Sequence, residues 1–435
     1  MIELEECGNW IKKSSFQKIC LQIPDYLMHH AVEIILNLQK YSSAFLYVIG
    51  DTSYDNCCID KLTVNRFEAD ACIHFGHACL SCTNHLPTFH VFQKKYFDIE
   101  LFCKEFNEYF KDESKEILLF YDTSFTYIIE HIYEKLYKKY KNLIFSILKC
   151  ISNVPFSKIH PNESHKSIIG RQYSLPSEHQ LNIYDAVFLG PNDKTLLTLF
   201  MSLPVNACHY FDGSKIYKFN MLKSLWFKRR NFLIEKIRDA TTFGIIIASL
   251  NVENYLAITE MLKSILNKVG KKVYTFNVGK ISPTKLGNFH QVDIFVAITC
   301  PESSLIDSRD YLKPIVTPFE VELAFNDLRE FSLLHELDFK QILPGGTNYK
   351  NFDVTSKPDI SLICGKSRQI NSSDITINNT LTHKERGTLK NNEININCLN
   401  SRTWNGLEQK LGENHVKLAE NGRNGIPINY ENESI

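Results

Sequence analysis

The chain lacks three features that would each place it in a large class of proteins. Lysine plus arginine and aspartate plus glutamate both number 49, so the formal net charge is zero and no broad basic field for nucleic acid is expected. No apolar run reaches the roughly 18 residues that suggest a membrane helix. The acidic start, residues 1–7, has no apolar stretch typical of a secretory signal. We therefore expect a cytoplasmic, globular protein that acts on neither nucleic acid nor membrane.

Common catalytic motifs are absent as well. The sequence contains no G-x-G-x-x-G and no P-loop for nucleotide phosphates, and no serine nucleophile elbow. The residues that carry chemistry therefore have to be of another kind, and the cysteines are the strongest candidates.

Thirteen cysteines is an odd number, and they lack the regular spacing of a small disulfide-stapled domain. In a chain that we expect to be cytosolic, most should be reduced and either buried as small hydrophobic residues or used as ligands. Three places stand out: the pair Cys57-Cys58, the segment with Cys79 and Cys82, and Cys300. Soft sulfur ligands gathered at strand ends favour an iron–sulfur cluster or zinc.

Short apolar runs alternate with helix-like stretches through most of the chain, which predicts parallel strands in βαβ units. One plan of strand, helix, strand, helix, strand and short final strand recurs three times. We predict an α/β fold of three similar domains, each with a mostly parallel sheet flanked by helices, over residues 1–105, 106–215 and 216–345. Ligands of such sheets bind at the carboxyl ends of the strands, where Cys79 and Cys300 lie.

The last segment, residues 346–435, has a different composition. Residues 366–400 are rich in asparagine, serine, threonine and lysine and contain no aromatic residue, which predicts a flexible, low-complexity linker. A tryptophan and a patch punctuated by glycine and proline follow, within residues 402–430. We expect this partly disordered tail to end in a segment that docks onto a surface.

Each cysteine also has a plainer interpretation. Adjacent cysteines on a strand point to opposite faces, so only one of Cys57 and Cys58 reaches a metal unless the segment is a loop. The turn-prone Asp55-Asn56 just before them favours a loop. Cys79 and Cys82 form a C-x-x-C, a pattern of zinc sites and of thiol redox pairs, but no second C-x-x-C accompanies it.

Two further positions stay open on the residues alone. Cys300, taken by itself, is as readily a core cysteine as a ligand. His74 and His77 flank a glycine beside the cysteine segment, and they are either packed histidines, ligands, or residues that support ligands.

Longer segments carry a family resemblance. They are DTSYDNCCID (51–60), ADACIHFGHACLS (69–81), YTFNVGK (274–280), CPESSLIDSR (300–309) and PIVTPFEVE (314–322), followed by RTW (402–404) and GRNGIP (422–427). In this order they resemble the eukaryotic diphthamide biosynthesis protein 2 family over nearly the whole chain apart from the linker.

The resemblance implies three similar α/β domains around a central site and a [4Fe-4S] cluster held by three cysteines. It implies an enzyme that cleaves S-adenosylmethionine, its substrate, and transfers a 3-amino-3-carboxypropyl group to one histidine of elongation factor 2, the first step of diphthamide biosynthesis. The implied enzyme is a heterodimer. Its subunit 1 holds the catalytic cluster, and its subunit 2 supports reduction of that cluster with electrons from a small redox protein.

Carried over to this sequence, the resemblance implies Cys58, Cys79 and Cys300 as the cluster ligands, with Cys57 as the close competitor for the first place. It implies no catalytic residue on this chain.

The chain departs from relatives at two places. Where subunit 1 and the archaeal homodimer have Gly-Cys in the middle domain, it reads Gly170-Arg171, as expected of subunit 2. Cys82 replaces a common proline and is an incidental thiol or an alternative ligand. A zinc-bearing scaffold subunit, with Cys57 or Cys58, Cys79, Cys82 and a histidine as ligands, and a metal-free interaction module remain the alternatives.

Overall fold

A computed structural model describes residues 4–81, 86–150, 165–176, 180–330, 332, 334–353, 359–365, 367–368, 425–426 and 429–430. The chain divides into two units, residues 1–375 and 376–435. In the second unit the described residues are two short antiparallel strands, Gly425–Ile426 and Asn429–Tyr430. Among the helices of the described residues, none has both the length and the apolar character needed to cross a membrane.

The first sheet is parallel throughout, with the spatial order β2-β1-β3-β4. Its strands are β1 (Lys18–Gln22), β2 (Phe45–Ile49), β3 (Ala71–Phe75) and β4 (Thr88–Val91). Its helices are α1 (Glu5–Ser14), α2 (Ala31–Gln39) and α3 (Lys61–Arg66). Every residue of β3 is buried, as expected for a strand covered on both faces.

The second sheet repeats this order and adds an antiparallel edge strand, so that it reads β12-β11-β10-β5-β6. Its elements are α4 (Ile99–Tyr109), β5 (Ile117–Tyr121), α5 (Ile129–Leu136), β6 (Leu143–Phe145), β10 (Asp185–Leu189), α6 (Lys194–Ser202), β11 (Ala207–Phe211) and β12 (Ile216–Phe219). A small antiparallel sheet is inserted after β6, formed by β7 (Ile147–Leu148), β8 (His165–Ile168) and β9 (Arg171–Ser174).

The third sheet is again parallel, in the order β14-β13-β15-β16. Its elements are α7 (Leu225–Asp239), β13 (Thr242–Ile247), α8 (Tyr255–Lys268), β14 (Lys272–Asn277), α9 (Pro283–Gly287), β15 (Ile294–Ile298), β16 (Ile315–Val316), α10 (Pro318–Phe325) and α11 (Phe339–Ile342). Apolar side chains such as Ile245, Val296 and Leu262 are fully buried between this sheet and its helices. Each contributes about 1.5–3 kcal/mol to folding.

The predicted fold class is confirmed: the sheets are mostly parallel and are flanked by helices. The first and third main sheets lie within the predicted segments 1–105 and 216–345, whereas the second passes residue 215, because its edge strand is β12. Helix α4 likewise crosses the boundary predicted at residue 105 and packs in the core of the second sheet. We call the parts of the chain that form these three sheets and their helices the first, middle and third domains. In all three sheets the first strand is central and the third strand lies beside it. Loops that follow corresponding strands therefore start at equivalent positions, at the carboxyl ends of the strands in each sheet.

The structure differs from the sequence-based expectations in three places. Apolar periodicity predicts a helix over residues 26–40 and another over residues 125–140, but each begins as a 3₁₀ turn, Asp25–His30 and Thr123–Ile128. Strand β12 was missed, although Asp212-Gly213 before it is a turn signal and Gly213 has a φ of 105°. In the predicted linker, Ser367–Arg368 pairs with Asp359–Ile360, and the rest of residues 366–400 lies outside the described residues.

Candidate metal centre

Four cysteine sulfurs meet at the carboxyl ends of the first and third sheets. The Sγ atoms of Cys57, Cys58, Cys79 and Cys300 all lie within 4.8 Å of one another. The separation is 3.7 Å from Cys58 to Cys79, 3.8 Å from Cys57 to Cys300 and 4.0 Å from Cys57 to Cys58. Three of the side chains are buried, and that of Cys57 is partly exposed. We call these residues the four-cysteine group.

The adjacent cysteines both face this group because they lie in a turn after β2. The amide of Cys58 donates to the carbonyl of Asp55 over 2.8 Å, which closes the turn, and the amide of Cys79 donates to the carbonyl of Cys57 over 3.0 Å. In a strand the two side chains would point to opposite faces. The turn removes that constraint, and Asp55-Asn56 was the sequence signal for it.

Buried polar side chains hold this turn from the first domain. The Gln22 amide donates to the carbonyl of Cys58 over 2.8 Å and accepts from the amide of Asp60 over 2.9 Å. The Asp60 carboxylate accepts from the amide of Ser53 over 2.7 Å and from that of Thr63 over 3.0 Å, which also caps α3. Both side chains are almost fully buried, so the loop that carries Cys57 and Cys58 has a rigid base.

The third domain holds the same turn from the other side. The Asn251 side chain donates a hydrogen bond to the carbonyl of Ile59, and the amide of Lys280 donates to the carbonyl of Ser53 over 2.9 Å. Cys300 follows β15, the third strand of its sheet, as Cys79 follows β3. The four-cysteine group is thus complete only when the first and third domains pack together.

The four thiols shift one another's pKa values. Hydrogen bonds from Cys300, Cys57 and Cys58 lower the pKa of the Cys79 thiol well below its ordinary value, although burial opposes this. Hydrogen bonding to neighbouring sulfurs, with burial, raises the pKa of Cys58 and of Cys300 well above the ordinary value. A metal would displace the thiol protons of the group, because thiolate is the form that binds metal.

The donor set fits a soft metal. Thiolates select zinc or iron–sulfur clusters, and both occur with four cysteine ligands. Three of the six sulfur separations are close to those around a single tetrahedral ion, because metal–sulfur bonds of about 2.3 Å place tetrahedral sulfurs about 3.8 Å apart. A cubane cluster attaches each cysteine to a different iron, so the same side chains would have to move apart to hold one.

A polar cavity of about 660 Å³ lies beside the group, and residues of all three domains line it. Ser303 belongs to its wall, and the Ser303 hydroxyl is 3.4 Å from the Cys57 sulfur. Its titratable lining residues include four carboxylates and three basic side chains: Asp55, Asp122, Asp193 and Glu302, with His77, Lys95 and Lys194.

His77 and Glu302 connect the three domains in this cavity. His77 Nε2 lies 3.1 Å from Glu302 Oε1, His77 Nδ1 lies 3.2 Å from the Thr123 hydroxyl, and the Thr195 hydroxyl donates to the same Glu302 oxygen. Burial lowers the pKa of His77, but the hydrogen bond and charge of Glu302 and the charge of Asp122 raise it by more. The net shift of the His77 pKa is upward.

The predicted site residues behave differently from one another. Cys58, Cys79 and Cys300 come together, and Cys57 joins them. His74 is buried outside the group and its Nε2 lies 2.9 Å from the carbonyl of Asn56, where it steadies the cysteine turn. Burial lowers the pKa of His74. Cys82 lies outside the described residues.

The middle domain contributes no cysteine to the four-cysteine group among the described residues. Arg171 is buried, and its guanidinium donates to the carbonyls of Ile169 and Tyr121. Gly170 packs on Leu80, next to Cys79, so closely that an added Cβ would lie 2.3 Å from the Leu80 Cβ. This domain therefore touches the cysteine loop without supplying a ligand.

Several residues of the site were missed from the sequence. Gln22, Asn251, Thr195 and His90 carry no motif, and His90 lines a small cavity with three of the cysteines. Glu302 and Ser303 belong to the family motif at residues 300–309, but neither was singled out as a site residue. No signal in the sequence pairs these residues with cysteines in other domains.

Known proteins with similar sequences belong to the family that the motifs indicated. Residues 23–333 match the family model described as "Putative diphthamide synthesis protein". A relative from Xenopus laevis named 2-(3-amino-3-carboxypropyl)histidine synthase subunit 2 is 33% identical, covering 99% of this chain and 92% of the relative. A relative of the same name from Schizosaccharomyces pombe is 31% identical, covering 99% of this chain and 90% of the relative.

Solved structures share the fold. The crystal structure of Dph2 from Pyrococcus horikoshii matches with a TM-score of 0.59 and 20% identity over 82% of this chain and 99% of that one. A crystal structure of the same protein with a 4Fe-4S cluster matches with a TM-score of 0.59 and 21% identity over 82% of this chain and 97% of that one. The resemblance inferred from the motifs is confirmed, and the chain belongs to the diphthamide synthesis protein family.

Proposed function

We propose that this chain is the iron–sulfur subunit of a heterodimeric enzyme for the first step of diphthamide biosynthesis. The enzyme would transfer a 3-amino-3-carboxypropyl group from S-adenosylmethionine to a histidine of elongation factor 2. The observation that carries the proposal is the four-cysteine group, assembled from two domains of a chain that belongs to this family. The name of the relatives, subunit 2, supports a complex with a subunit 1.

The residues of this chain would bind and shield the metal group. Cys58, Cys79 and Cys300, each at most 5% exposed, would hold a [4Fe-4S] cluster at the domain junction. Such a cluster supplies one-electron chemistry at low potential. The packing of Tyr54 and of the partly buried Leu250 and Val252 against the sulfurs would limit the access of water. The chain would then support reduction of the catalytic cluster on subunit 1, with a small redox protein as electron donor in the cytoplasm.

Zinc is the second candidate, and the sulfur separations favour it. Three of the six sulfur pairs, at 3.7, 3.8 and 4.0 Å, are close to the spacing around one tetrahedral ion. The ligands would be the four-cysteine group, instead of the C-x-x-C and a histidine considered from the sequence. In that case the chain would be a scaffold subunit, because zinc carries no redox chemistry.

The test is anaerobic co-expression with the candidate subunit 1, followed by iron, sulfide and zinc analysis and electron paramagnetic resonance of this chain alone and in the complex. We expect a reducible cubane signal on this chain that is lost in Cys79→Ser and Cys300→Ser. Cys208→Ser makes the same chemical change on strand β11, outside the group, and should keep the signal.

Two results would contradict the proposal. A colourless chain that contains zinc and still supports transfer in the complex would establish the scaffold role. A chain without metal whose Cys79→Ser and Cys300→Ser variants leave the activity of the complex intact would reduce the cysteines to core residues.

A further inference from the structure

We infer that Cys57 is a fourth thiolate ligand, so that the metal group of this chain has no coordination position open to S-adenosylmethionine. The inference rests on the proposed function to the extent that a metal group binds at the four-cysteine group. It goes beyond that function in two respects. It assigns a ligand role to Cys57, and it implies that S-adenosylmethionine does not bind to the metal group of this chain.

The Cys57 sulfur lies close to the sulfurs of the other three cysteines. It is 3.8 Å from the Cys300 sulfur and 4.0 Å from the Cys58 sulfur, and within 4.8 Å of the Cys79 sulfur. Cys57 and Cys58 are therefore not competitors for one place, since both face the same centre. Three thiolates leave a tetrahedral ion or a four-iron cluster one open position, and the fourth sulfur lies where it can fill that position.

The backbone around Cys57 is anchored on both sides. The carbonyl of Asn56 lies 2.9 Å from the fully buried His74, and the carbonyl of Cys57 itself accepts from the amide of Cys79 over 3.0 Å. The side chain also has its own neighbour, the Ser303 hydroxyl at 3.4 Å. The sulfur is thus positioned by contacts from the first and third domains.

Cys57 also lies on the side from which a ligand would approach. It is the partly exposed member of the four, whereas Cys58, Cys79 and Cys300 are buried. Its hydroxyl neighbour Ser303 lines the cavity of about 660 Å³. A small molecule that reached the metal from this cavity would have to displace the Cys57 thiolate.

The experiment uses the full chain purified anaerobically and reduced, with S-adenosylmethionine as the probe. We expect the electron paramagnetic resonance signal of the wild-type chain to stay unchanged when S-adenosylmethionine is added. Cys57→Ser, which keeps three cysteines, should retain a cluster whose signal changes on addition, and Cys208→Ser should behave like the wild type. A wild-type signal that changes with S-adenosylmethionine overturns the inference, whatever the variant does.

Metal analysis separates failure of the inference from failure of the proposed function. If the chain contains zinc and X-ray absorption finds four sulfur neighbours, the closed site stands and the iron–sulfur proposal falls. If zinc or iron is bound by three cysteines and a lighter atom, the inference falls. A chain that binds neither metal after anaerobic co-expression overturns both.

Discussion

The first and third domains differ from the middle domain in what their loops bring to the junction. All three sheets have the same order of their four parallel strands, and in each the loop after the third strand contributes a residue to the four-cysteine group or to the cavity beside it. After β3 that loop carries Cys79 and after β15 it carries Cys300, whereas after β10 it leads to Asp193. The topology therefore brings the three loops together, and the residues on each loop determine whether it contributes a metal ligand.

The middle domain supports the site by contact. Gly170 packs on Leu80 beside Cys79, and Thr195 donates a hydrogen bond to Glu302, two residues after Cys300. The domain thus touches both cysteine-bearing loops. We expect it to position the sulfurs. A change at Glu320 weakens the third domain alone, whereas a change at Gly170 or Thr195 weakens one of these contacts.

The largest effect on stability is expected in the third domain, away from the junction. Arg230 forms a fully buried, two-pronged ion pair with Glu320, and His335 lies 3.5 Å from the same carboxylate. Glu320→Gln leaves the guanidinium buried and unpaired, which should cost about 3–5 kcal/mol of unfolding free energy. Urea unfolding measures it. Metal content per folded chain should be unchanged. A lower metal content would mean that metal binding depends on the stability of the whole third domain and not only on its Cys300 loop.

The same carboxylate predicts a pH dependence. Burial would raise the pKa of Glu320, but the charge of Arg230 and the contacts with His335 lower it from 4.5 to about 2. A lowered folded pKa contributes stability that is present above pH 4.5 and is lost as the pH falls toward 2. The wild type should therefore lose more stability than Glu320→Gln over this range. Parallel curves for the two proteins would contradict the assignment.

The contact between the middle and first domains is tested by Gly170→Ala. The new Cβ would overlap Leu80, and overpacking of this kind costs about 1–3 kcal/mol. Gly213→Ala is the matched control, because Gly213 also has a positive φ but has nothing within 4 Å of an added Cβ. We expect Gly170→Ala to be the more destabilising and to lower metal content. Equal effects of the two variants would mean that only backbone strain matters.

The contact between the middle and third domains should give the smallest effect. Thr195→Val removes one hydrogen bond to Glu302 while His77 keeps another, so we expect a loss of about 1 kcal/mol. Thr198→Val, on the same helix, is the control: within the described residues its buried hydroxyl has no hydrogen-bond partner, so the change should be neutral or slightly stabilising. Calorimetry distinguishes the two. If both variants have the stability of the wild type, the hydrogen bond between Thr195 and Glu302 contributes nothing to the free energy of unfolding.

The elements of the fold were largely predictable from residue patterns. The apolar runs at β3, β10 and β15 are buried on both faces, so their position and parallel pairing follow from local composition. The small sheet of β7, β8 and β9 was not predicted. Its residues are mixed polar and apolar, and such pairing depends on neighbours that are distant in sequence.

The candidate site shows the same limit. Cys58, Cys79 and Cys300 could be named from the motifs, because each follows a strand-like or turn-like segment. Whether Cys57 or Cys58 faces the centre could not be decided, since that depends on a turn held by Gln22, Asn251 and His74, far away in the chain.

Local pattern was therefore sufficient for the class of the fold, the three-fold repeat of its plan and the family, because these depend on the periodicity and order of residues along the chain. It was not sufficient for the number of sulfurs at the centre. Four thiols from three segments, one of them more than 200 positions from the others, come within 4.8 Å only after two domains pack together. Packing and long-range hydrogen bonds set that distance, and no local preference of a residue encodes it.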